Sequence, residues 1–342
     1  MSVSSPLTLS NGVVVANRIA KAAMSEYMCD PASNACPAAF LALYEHWAAS
    51  GAGLLLTGNM MVTRQHMEAP TNLAVVADDP RLREVAVAMA ARGTLLLAQI
   101  SHSGRQTPVA VNWGPVAPSA VPLKLFPSAF ATPRELLLSE IAEVRAAFLR
   151  AALALAEAGF AGVQLHSAHG YLLSSFLSPH TNRRSDRYGG ALEGRARLLL
   201  ELVADLRAEV LPRFPRFVVS IKINSSDFQR GGLSAEDARS VIAWLEEAGV
   251  HLVELSGGSY ENTAFMGGSS SSAAKREAYF GEFAATVRGA LRGQMRVMLT
   301  GGFATVAAMN AALAAGECDL VGLARPFVAE PAAAMRQVRR SC

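Results

Sequence analysis

Short apolar segments alternate with longer helix-like segments along almost the whole chain. The short segments are apolar on successive positions, which is typical of parallel strands covered on both faces. The predicted strands are 18–24, 53–62, 94–100, 162–168, 217–224, 251–257, 296–302 and 319–325. The predicted helices are 37–50, 79–91, 139–159, 191–210, 234–248, 276–292, 305–315 and a last one from about residue 328. The chain therefore consists of eight consecutive strand–helix units.

This order of elements predicts a (β/α)8 TIM barrel. Residues 7–15 precede the first unit and read as a β-hairpin, with Asn11-Gly12 as its two-residue turn. A doubly wound sheet is the alternative. It would carry Gly-x-Gly-x-x-Gly after an early strand, and the sequence has no such motif there. Because no linker or internal repeat interrupts the pattern, we expect a single domain over residues 1–342.

Two segments break the regular alternation. Residues 101–138 follow the third strand and contain six prolines, and residues 258–275 follow the sixth strand and are rich in Ser and Gly. Both are long for simple connections. In a barrel, an insertion after a strand lies over the catalytic face, so we expect these segments to form a lid or pocket wall.

Composition narrows the class of protein. The chain has 342 residues, 51% hydrophobic and 17% charged, which suits a large folded core. Its net charge is +3 without a long Lys/Arg run, which argues against a nucleic-acid or membrane partner. The four cysteines form no Cys-x-x-Cys pair, so we expect neither disulfides nor a cysteine-bound metal. With no signal-peptide pattern at the start, a cytoplasmic protein is expected.

The fourth predicted strand ends in a cluster of polar groups. His166, His169 and Tyr171 lie within six residues, after the apolar segment 162–165. Two imidazoles and a phenol can hold a carbonyl oxygen and deliver a proton. A metal site would need a third ligand, and none is evidently placed for it. Each residue taken alone could equally be a packing side chain with a satisfied polar group.

Chemical groups also collect at the other strand ends, where barrel enzymes carry their sites. Lys222 lies inside an apolar strand, so it faces either an anionic partner or a structural acid such as Asp227 or Glu254. Glycines follow the seventh predicted strand, and Arg325 lies at the end of the eighth. This combination favours a phosphate site over simple tight turns. The candidates at all these ends are Ser25, Tyr27, Asn59, Gln99, Lys222, Gly258, Gly301, Gly302, Ala324 and Arg325.

These motifs resemble the old yellow enzyme family of FMN-dependent oxidoreductases, and closely its bacterial NADH:flavin oxidoreductase branch. The resemblance runs from Asn17 to Phe327. Its most specific parts are His166-Ser-Ala-His169-Gly-Tyr171-Leu, Phe176-Leu-Ser-Pro179, Asn182-Arg-Arg184-Ser-Asp186-Arg-Tyr188-Gly-Gly190 and Glu193-Gly-Arg195-Ala-Arg197. The chain lacks the cysteine cluster of larger relatives and resembles their short, FMN-only form.

The resemblance implies a role for each candidate residue. Ser25 matches a position near the flavin O4, usually Thr or Cys, and Asn59 aligns near the flavin edge. Gln99 matches the residue that reads the pyrimidine edge, and Lys222 matches the cation beside N1 and O2. The phosphate binders are matched by Gly302 and Arg325, with Gly258, Gly301 and Ala324 beside them. His166 and His169 match the pair that binds the substrate's activating group, Tyr171 the proton donor, and Tyr27 a residue lining the substrate pocket.

The resemblance implies an ene-reductase that takes its electrons from NADH or NADPH. The hypothesis is hydride transfer from flavin N5 to an α,β-unsaturated carbonyl compound, with protonation by Tyr171. The alternatives are an amine demethylase or dehydrogenase on the same barrel, a non-catalytic flavin-binding protein, and a phosphate-binding lyase without flavin. The sequence leaves open the physiological substrate, the preferred nicotinamide and the oligomeric state, a homo-oligomer included.

Overall fold

The computed structural model describes residues 1–124, 128–258, 261, 281–303 and 305–331. Its strands, numbered in chain order, are β1 (Leu7–Thr8), β2 (Val14–Val15), β3 (Ile19–Lys21), β4 (Leu54–Met61), β5 (Leu73–Ala74), β6 (Leu95–Ser101), β7 (Val116–Ala117), β8 (Arg134–Glu135), β9 (Gly162–Ser167), β10 (Val218–Asn224), β11 (Leu252–Ser256), β12 (Arg296–Thr300) and β13 (Leu320–Leu323). Its helices are α1 (Ala38–Ala48), α2 (Pro80–Ala91), α3 (Leu138–Ala158), α4 (Leu172–Leu177), α5 (Leu192–Asp205), α6 (Ala235–Glu247), α7 (described over 281–290), α8 (Val306–Ala315) and α9 (Arg325–Ala329).

Eight parallel strands of the described chain close into a barrel. The order around it is β3, β4, β6, β9, β10, β11, β12 and β13, and β13 pairs with β3 to complete the ring. The helices follow the strands in the predicted alternation. This closed ring confirms the TIM barrel and excludes the doubly wound alternative, because an open sheet would leave two strand edges unpaired.

The N-terminal hairpin is confirmed, but its turn differs from the predicted one. β1 and β2 pair antiparallel, and the Leu9 amide donates to Val13 O at 2.8 Å, which leaves three residues in the loop. Gly12 alone of these three has a positive φ, of 77°. The turn is therefore a three-residue loop with glycine in the left-handed position, one of the common hairpin connections. The Asn11 side chain instead donates to Arg216 O at 3.2 Å, just before β10.

The hairpin closes the bottom of the barrel. Its four buried side chains pack on the inward-facing residues at the starts of the strands, and the resulting cluster is Leu7, Leu9, Val13, Val15, Ala20, Ala22, Leu54, Leu56, Leu97, Val218, Leu252, Met298 and Leu320. The outward-facing residues of the same strands belong to a larger core under the helices. This alternation is the two-residue period of a strand. The lower barrel is thus apolar throughout, which leaves the upper part for polar groups.

The helices confirm most predicted bounds. Ser234 caps α6 by accepting the Asp237 amide at 3.0 Å, and Gly159 and Gly316 end α3 and α8 with left-handed backbone. Two predictions needed correction. The short helices α4, which follows Tyr171, and α9, at Arg325–Ala329, were not expected, and the helix predicted from about residue 328 lies mostly outside the described residues. No helix in the described ranges is both long and apolar enough to cross a membrane.

The proline-rich insertion after β6 is tied to several parts of the barrel's upper end. Arg184 donates to Pro118 O at 3.0 Å and Leu136 O at 2.7 Å, and Arg105 forms a 2.5 Å ion pair with Glu261. The predicted loop 258–275 lies outside the described residues except for 258 and 261. The insertion is therefore held against the barrel by buried arginines, and its own strands β7 and β8 pair with each other.

Candidate active site

A tight turn after β9 sets the positions of His169 and Tyr171 relative to His166, which lies in the strand itself. The Tyr171 amide donates to Ala168 O at 3.3 Å, and the two central residues, His169 and Gly170, have φ values of 60° and 82°. Two consecutive residues at positive φ are the signature of a type I′ turn. A non-glycine residue in this region is strained by about 1–3 kcal/mol, and such strain is concentrated at functional sites. The sequence Ala-His-Gly-Tyr therefore serves to orient side chains.

His166 has a defined tautomer. Its Nδ1 lies 3.2 Å from the Ala168 amide, which can only donate. Burial lowers the pKa of His166 well below its ordinary value, and the nearby His169 and Lys222 lower it further. A neutral ring whose Nδ1 accepts must carry its proton on Nε2. The Nε2–H of His166 is therefore a donor that takes no part in the contact with the Ala168 backbone.

His169 is neutral as well and lies against its neighbour. Burial lowers its pKa to about 3, with Lys222 as the second cause. Its Nε2 lies 2.7 Å from Ser256 Oγ at the end of β11, and its amide donates to Asn224 Oδ1 at 3.2 Å. The rings of His166 and His169 are 5.1 Å apart. Within the described part of the chain, no group of three or more His, Cys, Asp or Glu side chains is arranged to hold a metal ion.

Tyr171 completes the cluster and contacts an acid that the sequence reading missed. Its side chain is 5% exposed, and its ring lies 4.6 Å from that of His166. Its hydroxyl donates to Oε2 of Glu68, which also accepts from Asn59 Nδ2 at 2.6 Å. The available signal was that Glu68 lies on the loop after β4, at the barrel end where βα loops carry catalytic groups.

A β-bulge turns Asn59 into the barrel. Between Leu56 and Asn59, β4 has one residue more than the facing part of β6, so the inward side changes from even to odd positions. Gly58 is required there, since a Cβ would collide with Met24 O and Ser25 Cα. The backbone nitrogen of Asn59 lies 3.4 Å from Ser25 Oγ. The structure thus brings Ser25 and Asn59 together, as candidates at neighbouring strand ends should be.

A continuous chain of polar groups crosses the upper barrel. Gln99 donates to Gln164 Oε1 at 2.7 Å, and Gln164 donates to Glu254 Oε2 at 2.9 Å. Lys222 Nζ lies 3.0 Å from Glu254 Oε1, although at an angle that makes no hydrogen bond. The structural acid proposed for Lys222 is therefore Glu254, whereas Asp227 accepts from Asn224 and the Leu233 amide. Gln164 and Glu254 are further residues that the sequence reading did not place in the site.

The candidate phosphate residues lie at the ends of the adjacent strands β12 and β13. Gly301 and Gly302 have φ values of 97° and 87°, and a Cβ on Gly301 would meet no atom within 4 Å. Ala324 caps α9, and Arg325 is its exposed first residue. Gly258 follows β11 with a φ of 86° and accepts from Asn224 Nδ2 at 3.0 Å. These positions surround the same barrel end as the histidines.

Two of the remaining sequence features do not lie in the cluster of side chains around β9. Tyr27 has a positive φ of 51° and is 49% exposed on the segment after β3. The motif at 182–190 is a scaffold: Asn182 donates to Phe176 O and Tyr188 O at 2.7 and 2.8 Å, and Arg184 holds the insertion. This motif therefore stabilises the walls of the site and supplies none of the chemistry described above.

Comparison with known proteins identifies the family of this chain. The model of the NADH:flavin oxidoreductase / NADH oxidase family matches residues 2–339. The chain is 40% identical over 331 residues to the NADH-dependent flavin oxidoreductase nadA of Aspergillus parasiticus, covering 92% of this chain and 73% of that protein. It is 33% identical over 250 residues to an NADPH dehydrogenase of Halalkalibacterium halodurans, covering 72% and 70%.

A solved structure shares the whole fold. The old yellow enzyme homologue from Zymomonas mobilis superposes with a TM-score of 0.81 at 21% identity, covering 100% of this chain and 94% of that one. The chain belongs to the NADH:flavin oxidoreductase / NADH oxidase family, and it is an FMN-dependent NAD(P)H oxidoreductase of the old yellow enzyme type.

Proposed function

We propose that this enzyme reduces the activated C=C bond of α,β-unsaturated carbonyl compounds. The observation that carries the proposal is the set of neutral donors at the end of β9. In this set, the Nε2–H of His166 takes no part in the ring's contact with the Ala168 amide. His169 and the Tyr171 hydroxyl lie beside it. Donors of this kind suit an oxygen on which negative charge develops.

The residues around the donors fit FMN. Asn59 Oδ1 is buried without a hydrogen-bond partner among the described residues, and Lys222 offers a buried cation to an electron-rich ring. Ser25 and Gln99 would meet the edge of the isoalloxazine, while Gly302 and Arg325 would bind the phosphate together with Gly258, Gly301 and Ala324. FMN bound there supplies the hydride, which it takes from NADH or NADPH.

His166 and His169 would hold the carbonyl oxygen of the substrate. Because burial keeps both rings neutral, each can donate a hydrogen bond without losing a proton. The bond strengthens as charge grows on the oxygen, so it stabilises the transition state more than the bound substrate. Loss of one such donor typically slows the reaction about a hundredfold or more. His169 would exchange its contact with Ser256 for the substrate oxygen.

Tyr171 would deliver the proton to the α-carbon. Its hydroxyl already has a hydrogen to give, because it donates to Glu68. The turn at His169 and Gly170 and the start of α4 fix its backbone on both sides. Proton delivery from a fixed position is worth about a hundredfold to ten-thousandfold in rate. Tyr27, on the rim, would contribute to the wall of the substrate pocket.

An anaerobic half-reaction panel tests the proposal. The holoenzyme is reduced with NADH or NADPH and then mixed with enones, maleimides, nitroalkenes or quinones, and the flavin absorbance is followed. We expect rapid reoxidation by enones, about a hundredfold slower in His166→Ala. His251→Ala is the matched control, because His251 is a buried histidine whose Nδ1 accepts a backbone amide at the opposite end of the barrel.

Other outcomes would reject ene-reduction in favour of a different activity. Bleaching of the oxidised flavin by amines, without reoxidation by enones, would identify an amine dehydrogenase. A flavin that neither nicotinamide reduces would identify a binding protein. A protein that takes up no FMN would favour the lyase.

A further inference from the structure

We propose that Glu68 is a proton-relay residue that acts through Tyr171, returning a proton to the tyrosine oxygen in each cycle. This inference rests on the proposed function, since Tyr171 is the proton donor of that reaction and Glu68 would supply it with protons. Glu68 lies on the loop between β4 and β5 and was not among the residues suggested by the family motifs.

The carboxylate is held on both sides. Its Oε2 accepts from the Tyr171 hydroxyl and from Asn59 Nδ2, and its Oε1 lies 3.3 Å from Asn72 Nδ2. The Asn72 amide is itself fixed in orientation, because its Oδ1 accepts from the Ala69 amide at 2.7 Å. Glu68 is thus positioned against the phenol and a flavin-edge residue at once.

Tyr171 and Glu68 differ in their access to water because they are buried to different extents. Tyr171 is 5% exposed, whereas Glu68 is half-buried on a surface loop. A tyrosine that protonates a substrate must regain a proton before the next cycle. Since Glu68 contacts both the hydroxyl and the loop surface, it offers a path by which that proton can come from solvent.

The charges around Glu68 favour a rapid return of the proton to Tyr171. The side chains that hydrogen-bond to it are Asn59, Asn72 and Tyr171, all neutral, and the ring packed on Tyr171 is the neutral His166. Among the described residues, no Lys or Arg nitrogen lies within 4.0 Å of its carboxylate. A lasting phenolate next to a carboxylate would hold two negative charges in contact inside the protein, which is costly, so a prompt return of the proton is favoured.

The relay therefore runs from water through the Glu68 carboxylate to the tyrosine oxygen. The O–H bond of Tyr171 breaks as the C–H bond forms at the α-carbon. Water then gives a proton to the Glu68 carboxylate, which passes it to the tyrosine oxygen. The sum of these steps is one proton moved from solvent to product, with no further oxidant or reductant.

Glu68→Gln tests the relay, because it keeps the size and hydrogen bonding of the side chain but carries no transferable acid proton. We expect reduction of the holoenzyme by NAD(P)H to be unaffected and reoxidation by an enone to slow by about a hundredfold. Glu143→Gln, an exposed residue of α3, is the control.

Infrared difference spectra of a single turnover give a readout other than rate. In the wild type, we expect a transient carboxylic-acid C=O band as the proton passes through Glu68, and no such band in Glu68→Gln or Tyr171→Phe. This measurement also decides the question if Glu68→Gln folds poorly, since the wild type and Tyr171→Phe suffice.

The outcomes separate the two proposals. Wild-type rates in Glu68→Gln, or a wild-type turnover without any change in a carboxyl band, would overturn the relay while leaving ene-reduction intact. Failure of every electrophilic alkene to reoxidise the wild-type enzyme would overturn both.

Discussion

At the scale of single residues, the site depends on two places where the backbone departs from regular structure. The bulge at Gly58 turns Asn59 inward, and the turn at His169 and Gly170 aims the donors after β9. The histidine–tyrosine motif was readable in the sequence because its residue types suggest their chemistry. The bulge and the contact between Glu68 and Tyr171 were not readable, since both depend on how separate strand ends meet in space.

Gly58→Ala should therefore disturb the site more than the addition of a single methyl group usually does. The added methyl group would push against Met24 O and Ser25 Cα, so we expect a loss of about 1–3 kcal/mol in unfolding free energy and weaker FMN binding. Denaturant unfolding and flavin fluorescence measure the two effects. The control is Gly289→Ala in α7, where a Cβ has open space and should be neutral or slightly stabilising. Equal behaviour of the two variants would contradict the role given to Gly58.

At the scale of elements, the hairpin and the insertion close opposite ends of the barrel. The hairpin was predicted from Asn11-Gly12, but its loop has three residues because Asn11 turns to Arg216 instead of adopting a positive φ. The short α4 was missed because six residues carry too little helical period to be recognised. Arg184 explains why the 182–190 motif matters: it holds the insertion from the side.

Leu9→Ala tests the hairpin as a plug of the lower barrel. Leu9 is 4% exposed, so its truncation should lower the unfolding free energy by about 2–5 kcal/mol. The flavin site at the other end should keep its absorbance spectrum. Val14→Ala serves as the matched control in the same hairpin, because Val14 is 50% exposed and should change stability by less than about 0.5 kcal/mol. If both variants lose the same stability, the hairpin does not fill the barrel.

At the scale of the whole molecule, the barrel separates an apolar lower half from a polar upper half. The strand–helix alternation was sufficient to predict this fold, because eight βα units have few ways to close. The chain of Gln99, Gln164, Glu254 and Lys222 was only partly predicted. Each lies on an inward position of a different strand, and their contact follows from the strand register, which the sequence does not state.

Buried neutral histidines should make the fold sensitive to mild acid. Burial lowers the pKa of His66 to about 4 and of His169 to about 3, and it also lowers those of His102, His166 and His251. Below about pH 6.5 these histidines take up protons in the unfolded chain but stay neutral in the native protein. The free energy of unfolding therefore falls with falling pH, by up to about 1.4 kcal/mol per pH unit for each histidine. Urea unfolding between about pH 7 and pH 5 measures this. A flat profile there would contradict it.

The most direct test of the central claim is the rate at which an enone reoxidises the reduced holoenzyme of Tyr171→Phe. The variant removes one oxygen atom and leaves the turn, α4 and the two histidines in place. If Tyr171 delivers the proton, reoxidation by the enone should slow by about a hundredfold or more, while reduction by NAD(P)H stays at the wild-type rate. An unchanged rate of reoxidation by the enone would contradict the assignment of Tyr171 and, with it, the mechanism proposed for this site.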